Sequence, residues 1–182
     1  MAHVLIILPV ITMQLKRRRK KRKEIKMPIN IVLVEPEIPH NTGNIIRTCA
    51  NTGAQLHLIK PLGFSLDDKH LKRCGLDYWD IADIKYYDSF EELQEKYPEA
   101  NYFYATTKTQ KSYADVEYNE GCFLVFGKET KGLPKDLIEK NEGHCIRIPM
   151  RGIEGARCLN LSNSVAIVVY EALRQLGFPD LK

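Results

Sequence analysis

INIVLVEPEIPHNTGNIIRTCANTG, residues 29–53, decides the fold class. Its first six residues, Ile29 to Val34, form an apolar run rich in β-branched side chains, the pattern of a strand buried on both faces. From Asn41 to Asn51 the period changes. Ile45, Ile46, Cys49 and Ala50 now recur on one side of a helix, and Gly53 supplies a C-cap. Gln55 to Ile59 is a second short apolar strand, closed by Pro61 and Gly63. Strand, helix, strand within 31 residues is the opening unit of a parallel sheet.

The rest of the chain extends that alternation. A short helix is expected over Leu66 to Arg73, and Ser89 with Glu92 makes a capping box for a helix through Tyr97. Asn101 to Thr106, Cys122 to Phe126 and Cys145 to Ile148 read as strands, and Pro134 to Asn141 as a helix with proline in its first turn. Val165, Val168, Val169, Ala172, Leu173 and Leu176 form a core-facing stripe on a last helix that ends at Gly177. The expected architecture is one α/β domain, with a mainly parallel sheet flanked by helices.

With 182 residues, 44% of them apolar, the chain can bury a core, so disorder is excluded. Five scattered cysteines without a C-x-x-C pair exclude a disulfide scaffold and favour reduced thiols in the cytoplasm. The formal charge of +4 is misleading, because residues 1–26 hold nine Lys/Arg and one Glu. Residues 27–182 hold 18 basic and 22 acidic residues, a mildly acidic body. The leader's apolar run, Val4 to Ile11, is too short to span a bilayer, and its basic run, Lys16 to Lys23, stands on the wrong side for a secretory signal. A nucleic-acid tail is one reading of this segment. The preferred expectation is that residues 1–26 lie outside the functional protein, which begins as a single domain at Met27.

Ligands of open α/β sheets bind beyond the carboxyl ends of strands, and three loops there are rich in Gly, Asn, Arg and Glu. The first is Glu35 to Asn44, running into Arg47, where Asn44, Arg47 and Asn51 share a helical face. By itself that face reads as a solvated surface with a helix cap, and that reading is the one favoured without other evidence. The second is Phe126-Gly-Lys-Glu-Thr-Lys-Gly-Leu-Pro134, in which Gly127 would let a flat ligand approach the backbone. It is not a phosphate loop, because Cys122 and Glu129 stand where Gly and Ser/Thr are required. The third is the long stretch from Ile148 to Ser162, in which Ser162 or Asn163 would cap the last helix. No G-x-G-x-x-G, G-x-S-x-G or metal-ligand spacing occurs.

Together the three loops resemble the three motifs of the SPOUT-class RNA methyltransferases, with Asn41-Thr-Gly-Asn-Ile-Ile-Arg47 first. Phe126-Gly-Lys-Glu129 with Gly132-Leu133 is similar to the second motif, and Ile148-Pro-Met150 with Leu159-Asn-Leu-Ser-Asn163 to the third. Glu35 to Pro39, Leu58 to Phe64 and Gly75 to Tyr78 bring the likeness closest to the small group that methylates the tRNA wobble nucleotide.

The resemblance implies a C-terminal trefoil knot, a homodimer, and S-adenosylmethionine as methyl donor with no metal. It further implies a ribose 2′-hydroxyl acceptor on cytidine or uridine 34 in the anticodon stem-loop of tRNA, and no membrane association. By position, Ala105, Gly127, Ile148 and Cys158 would contact the donor. Arg47 would act at the reacting ribose, Asn41 and Glu129 would brace the first two loops, and Asn160 would shape the third. Cys158 departs from the serine usual at its position, and the stretch from Arg151 to Ala156 is longer than usual. The competing expectations are a methylase of ribosomal RNA and a non-catalytic RNA-binding module that uses the basic leader.

Overall fold

The structure, a computed structural model, describes residues 29–65, 78–152 and 158–182. The leader, the expected helix from Leu66 to Arg73 and the stretch 153–157 lie outside the described residues.

The chain runs β1 (Ile29–Val34), α1 (Pro39–Thr52), β2 (Gln55–Ile59), β3 (Ile84–Tyr87), α2 (Phe90–Lys96), β4 (Tyr102–Ala105), β5 (Cys122–Phe126), α3 (Lys135–Lys140), β6 (Cys145–Ile146) and α4 (Leu161–Gln175). The six strands form one sheet in the order β3-β2-β1-β5-β4-β6, and every pairing is parallel. In register, Val32 faces His57 on one neighbour and Val125 on the other.

Strand periodicity divides the core into two layers. Ile29, Ile31 and Leu33 point to one face, where Ile45, Ile46 and Cys49 of α1 meet Val165, Val168, Val169, Ala172 and Leu173 of α4. Val32 and Val34 point to the other face, toward Phe90 and Leu93 of α2, Ile138 of α3 and an aromatic group with Tyr87, Tyr102, Tyr104 and Phe123. Those five α4 side chains are fully buried. Each Val or Leu among them contributes about 1.5–3 kcal/mol. Among the described residues no helix is long and apolar enough to cross a membrane.

Several boundaries differ from expectation. β3 was not anticipated: it is a four-residue edge strand with only Tyr87 buried, so it lacks a continuous apolar run. β4 is one residue shorter at each end than Asn101 to Thr106. β6 ends at Ile146, after which Arg147 makes only an isolated bridge to Ser112. α1 begins two residues early, at Pro39, and ends on Gly53 at φ +74°, whose N–H donates to Cys49 O at 2.8 Å. Pro134 stands just outside α3 as its cap rather than in its first turn.

Candidate active site

β1 lies between β2 and β5, so the chain leaves it toward one side of the sheet and approaches it later from the other. At such a switch point the loops after the two central strands diverge and leave a crevice. Here the loop after β1 (35–38) and the loop after β5 (127–134) border that crevice, and Glu129 joins them. Its Oε2 accepts the Glu37 N–H at 2.9 Å, and its Oε1 accepts the Ile38 N–H at 3.2 Å and the Asn41 side-chain amide at 2.9 Å. Reciprocally, the Glu37 carboxylate accepts the N–H of Thr130 at 3.2 Å and its hydroxyl at 2.8 Å. The Lys128 ammonium is paired with Glu35.

The third loop joins the same junction. Asn160 donates its amide to Asn41 Oδ1 at 2.9 Å. Its own Oδ1 accepts the N–H of Ser162 at 2.9 Å and the hydroxyl at 2.7 Å, which makes Asn160 the N-cap of α4. This replaces the expected cap at Ser162 or Asn163: Ser162 is the donor, and the capping oxygen lies two residues earlier. Glu129, Asn41 and Asn160 thus form one continuous chain of hydrogen bonds across all three loops.

Beside this junction lies a cavity of about 440 Å³, of the size that holds small-molecule ligands. Its wall includes Ala105, Ile146, Ile148 and Met150, and Cys158 and Asn160 also line it. Of the eight residues expected to form the site, Ala105, Gly127, Ile148, Cys158, Asn41, Glu129 and Asn160 all line this cavity. Arg47 does not. It is exposed on α1, with its guanidinium 4.9 Å from the centre of the Tyr78 ring. Asn51, expected on the same functional face, donates instead to the backbone O of Arg47 at 2.8 Å.

Gly127 needs its missing side chain, but for a different reason from the one expected. A Cβ there would stand 2.0 Å from Gly132 C and 2.1 Å from Leu133 N, so the chain's own returning turn occupies that space. The turn is closed by Gly132 N–H donating to Lys128 O at 2.8 Å, with Gly132 at φ +69°.

The sequence reading passed over the loop after β4, of which Thr106, Thr107 and Lys108 line the cavity, and over Arg147 after β6. Its signal was position, immediately beyond the carboxyl end of a strand. No cluster of three or more metal-ligating side chains occurs among the described residues.

The model of the SpoU rRNA Methylase family matches residues 28–170. The chain belongs to that family. A relative from Bacillus subtilis (strain 168) is 55% identical over 157 residues, covering 85% of this chain and 97% of its own length. A relative from Escherichia coli (strain K12), named tRNA (cytidine(34)-2′-O)-methyltransferase, is 48% identical over 152 residues, covering 83% of this chain and 96% of its own. A solved structure described as giving insights into the 2-OH methylation of C/U34 on tRNA superposes with a TM-score of 0.77 at 41% identity, covering 82% of this chain and 96% of the solved one. This family member therefore has close relatives over nearly their full length, and seven of its eight expected site residues line one cavity.

Proposed function

We propose that this SpoU family member transfers a methyl group from S-adenosylmethionine to the ribose 2′-hydroxyl of the wobble nucleotide of tRNA, cytidine or uridine 34. The observation that carries the reading is the Glu129–Asn41–Asn160 junction, which binds three separate loops around one cavity at the sheet's switch point. The near full-length relatives named for this reaction support the choice of substrate.

The cavity fits a nucleoside with an amino-acid tail. Its wall at Ala105, Ile146 and Ile148 is apolar, which suits a flat base, and its loops offer backbone N–H and C=O groups for reading the base edge. Ala105, Gly127, Ile148 and Cys158 would hold the donor there, and when bound it supplies an electrophilic methyl carbon. The ribose 2′-oxygen would take that methyl as the S–C bond breaks, with S-adenosylhomocysteine as the leaving group and the hydroxyl proton passing to solvent water.

Arg47 brings a cation rather than a base, so its part is to fix the adjoining phosphate and stabilise charge developing on the ribose oxygen. Asn41, Glu129 and Asn160 act through geometry, holding the loops that position donor and acceptor. The functional protein is a homodimer whose working domain begins at Met27. The exposure of Tyr170 on α4 and of Phe178 just beyond it supports a second copy on that face.

The test is methyl transfer from labelled donor to purified tRNA, with ribosomal RNA as the competing substrate, followed by mapping of the methylated nucleotide. Label at the 2′-oxygen of position 34 is expected. Label confined to ribosomal RNA, or none in either RNA, would overturn the assignment.

A further inference from the structure

The charge along the cavity is opposite in sign to the charge of the folded body. Four cations line it, Lys108, Lys128, Lys131 and Arg147, against one acid, Glu129. Nearby acids are already turned toward protein donors: Glu35 holds Lys128, Glu37 holds Thr130, and Glu129 accepts three N–H groups. Arg147 is held at one nitrogen, since its Nη1 donates to Thr109 O at 3.4 Å and to Gln110 Oε1 at 3.1 Å, and its Nε is buried without a partner, away from solvent. That leaves Lys108 and Lys131. Both are exposed, and neither side chain has an ion pair or hydrogen bond among the described residues.

They stand on adjacent supports. Lys108 follows β4 and Lys131 follows β5, and these strands are neighbours, about 4.8 Å apart. The loops that carry them are fixed. Thr130, next to Lys131, is tied to Glu37, and the β4 loop is strapped by Arg147 N–H donating to Lys111 O at 2.9 Å. Two exposed, unpaired ammonium groups on tied loops in the lining of this cavity match a flexible polyanion whose one sugar must enter it.

We propose that Lys108 and Lys131 bind backbone phosphates of single-stranded RNA on either side of the ribose presented to the cavity. The proposal rests on the reading of this chain as an RNA methyltransferase and names the contacts that hold its substrate in register. A phosphate contact carries no base information, so these lysines position the strand and leave the choice of base to other groups.

The test measures binding of an anticodon stem-loop RNA to the full chain by fluorescence anisotropy across a potassium chloride series. Wild type is compared with Lys108→Gln, Lys131→Gln and the double variant. Because every protein carries the same basic leader, the difference between slopes isolates the lysines. Each substitution should flatten the slope of log K against log salt by about 0.7, and weaken binding about fivefold at 0.1 M salt. Lys108→Arg should keep the wild-type slope. Affinity for S-adenosylhomocysteine, measured by calorimetry, should stay within twofold in every variant.

A double variant with the wild-type slope would overturn the proposal. So would loss of S-adenosylhomocysteine affinity in step with RNA affinity, which would assign the lysines to the donor. Wild-type protein that methylates no RNA would overturn the underlying reading as well, whereas an active wild type with unchanged variant slopes overturns the lysine assignment alone.

Discussion

Glu129→Gln tests the junction with the smallest change in shape. The carboxylate accepts three N–H groups, and an amide of the same size can serve them only in part. In its better orientation the glutamine keeps its oxygen at the Oε1 position, retaining the bonds from Ile38 and Asn41, and turns its NH2 toward the Glu37 N–H. One bond is lost there, and an unsatisfied donor costs about 1–3 kcal/mol. The two retained bonds fall from charge-assisted to neutral strength, about 1 kcal/mol each. The Ile38 bond is exposed, so water compensates part of the loss, and a net cost of at least about 2 kcal/mol remains.

Asn41 is the link to Asn160, so the same perturbation reaches the third loop. If the junction is what keeps the cavity open to the donor, affinity should fall by up to about 30-fold, the equivalent of 2 kcal/mol. Urea unfolding at fixed protein concentration reads the first quantity, and calorimetry with S-adenosylhomocysteine the second. A variant within 0.5 kcal/mol of wild type by both measures would refute the claim that hydrogen bonds across the loops shape this site. An Asn41→Ala, Glu129→Gln double-mutant cycle should show strong non-additivity, because both residues belong to one chain of bonds.

Gly127→Ala should destabilise the fold by about 3 kcal/mol and abolish donor binding, since the new methyl group would meet the backbone of Gly132 and Leu133; near-normal unfolding and donor titration curves would contradict that packing. Tyr78→Leu should lower kcat/KM for RNA about 2- to 5-fold through loss of the ring under Arg47, while Tyr78→Phe keeps the ring and the rate. Equal rates in the two variants would separate Tyr78 from Arg47. Burial, and then the nearby charges of Lys85 and Lys96, push the pKa of His57 down to about 3. The neutral ring is held between Asn30 Oδ1 and the Tyr87 hydroxyl. The folded state therefore binds fewer protons than the unfolded one below pH 6.5, and stability present above that pH is lost as pH falls toward 3. Between pH 6.5 and 5 the loss is about 2 kcal/mol, and His57→Gln should show a correspondingly shallower pH dependence in urea unfolding.

The sequence made the middle of the sheet legible and its margins less so. β1, β2 and β5 have the expected bounds because both of their faces are covered, and every residue in them is buried. β3 escaped notice because an edge strand needs no such run. Within the site the residue types were visible, but their meeting was not. Asn41 and Asn160 are 119 positions apart, and it takes the placement of β5 beside β1 and of α4 against α1 to bring the loops together. Gly127 was legible as a required glycine, while the partner that requires it, the turn at Gly132 and Leu133, is a matter of tertiary packing.

The charge distribution adds a prediction about the leader. An acidic body that meets RNA phosphates through Lys108, Lys131 and Arg47 should lose affinity only modestly with salt. Three single-strand contacts give a slope of about −2.1, or about an 18-fold loss between 50 and 200 mM. If the eight consecutive cations from Lys16 to Lys23 also engaged RNA, the slope would steepen by as much as about 5.6, and the same change in salt would weaken binding more than a thousandfold. The two cases differ by over two orders of magnitude, far beyond the error of an anisotropy titration. At saturating tRNA the 182-residue chain and one beginning at Met27 should show the same methylation rate, whatever the leader does to affinity. A shortened protein that binds S-adenosylhomocysteine normally but no longer methylates would show that the basic run belongs to the working enzyme.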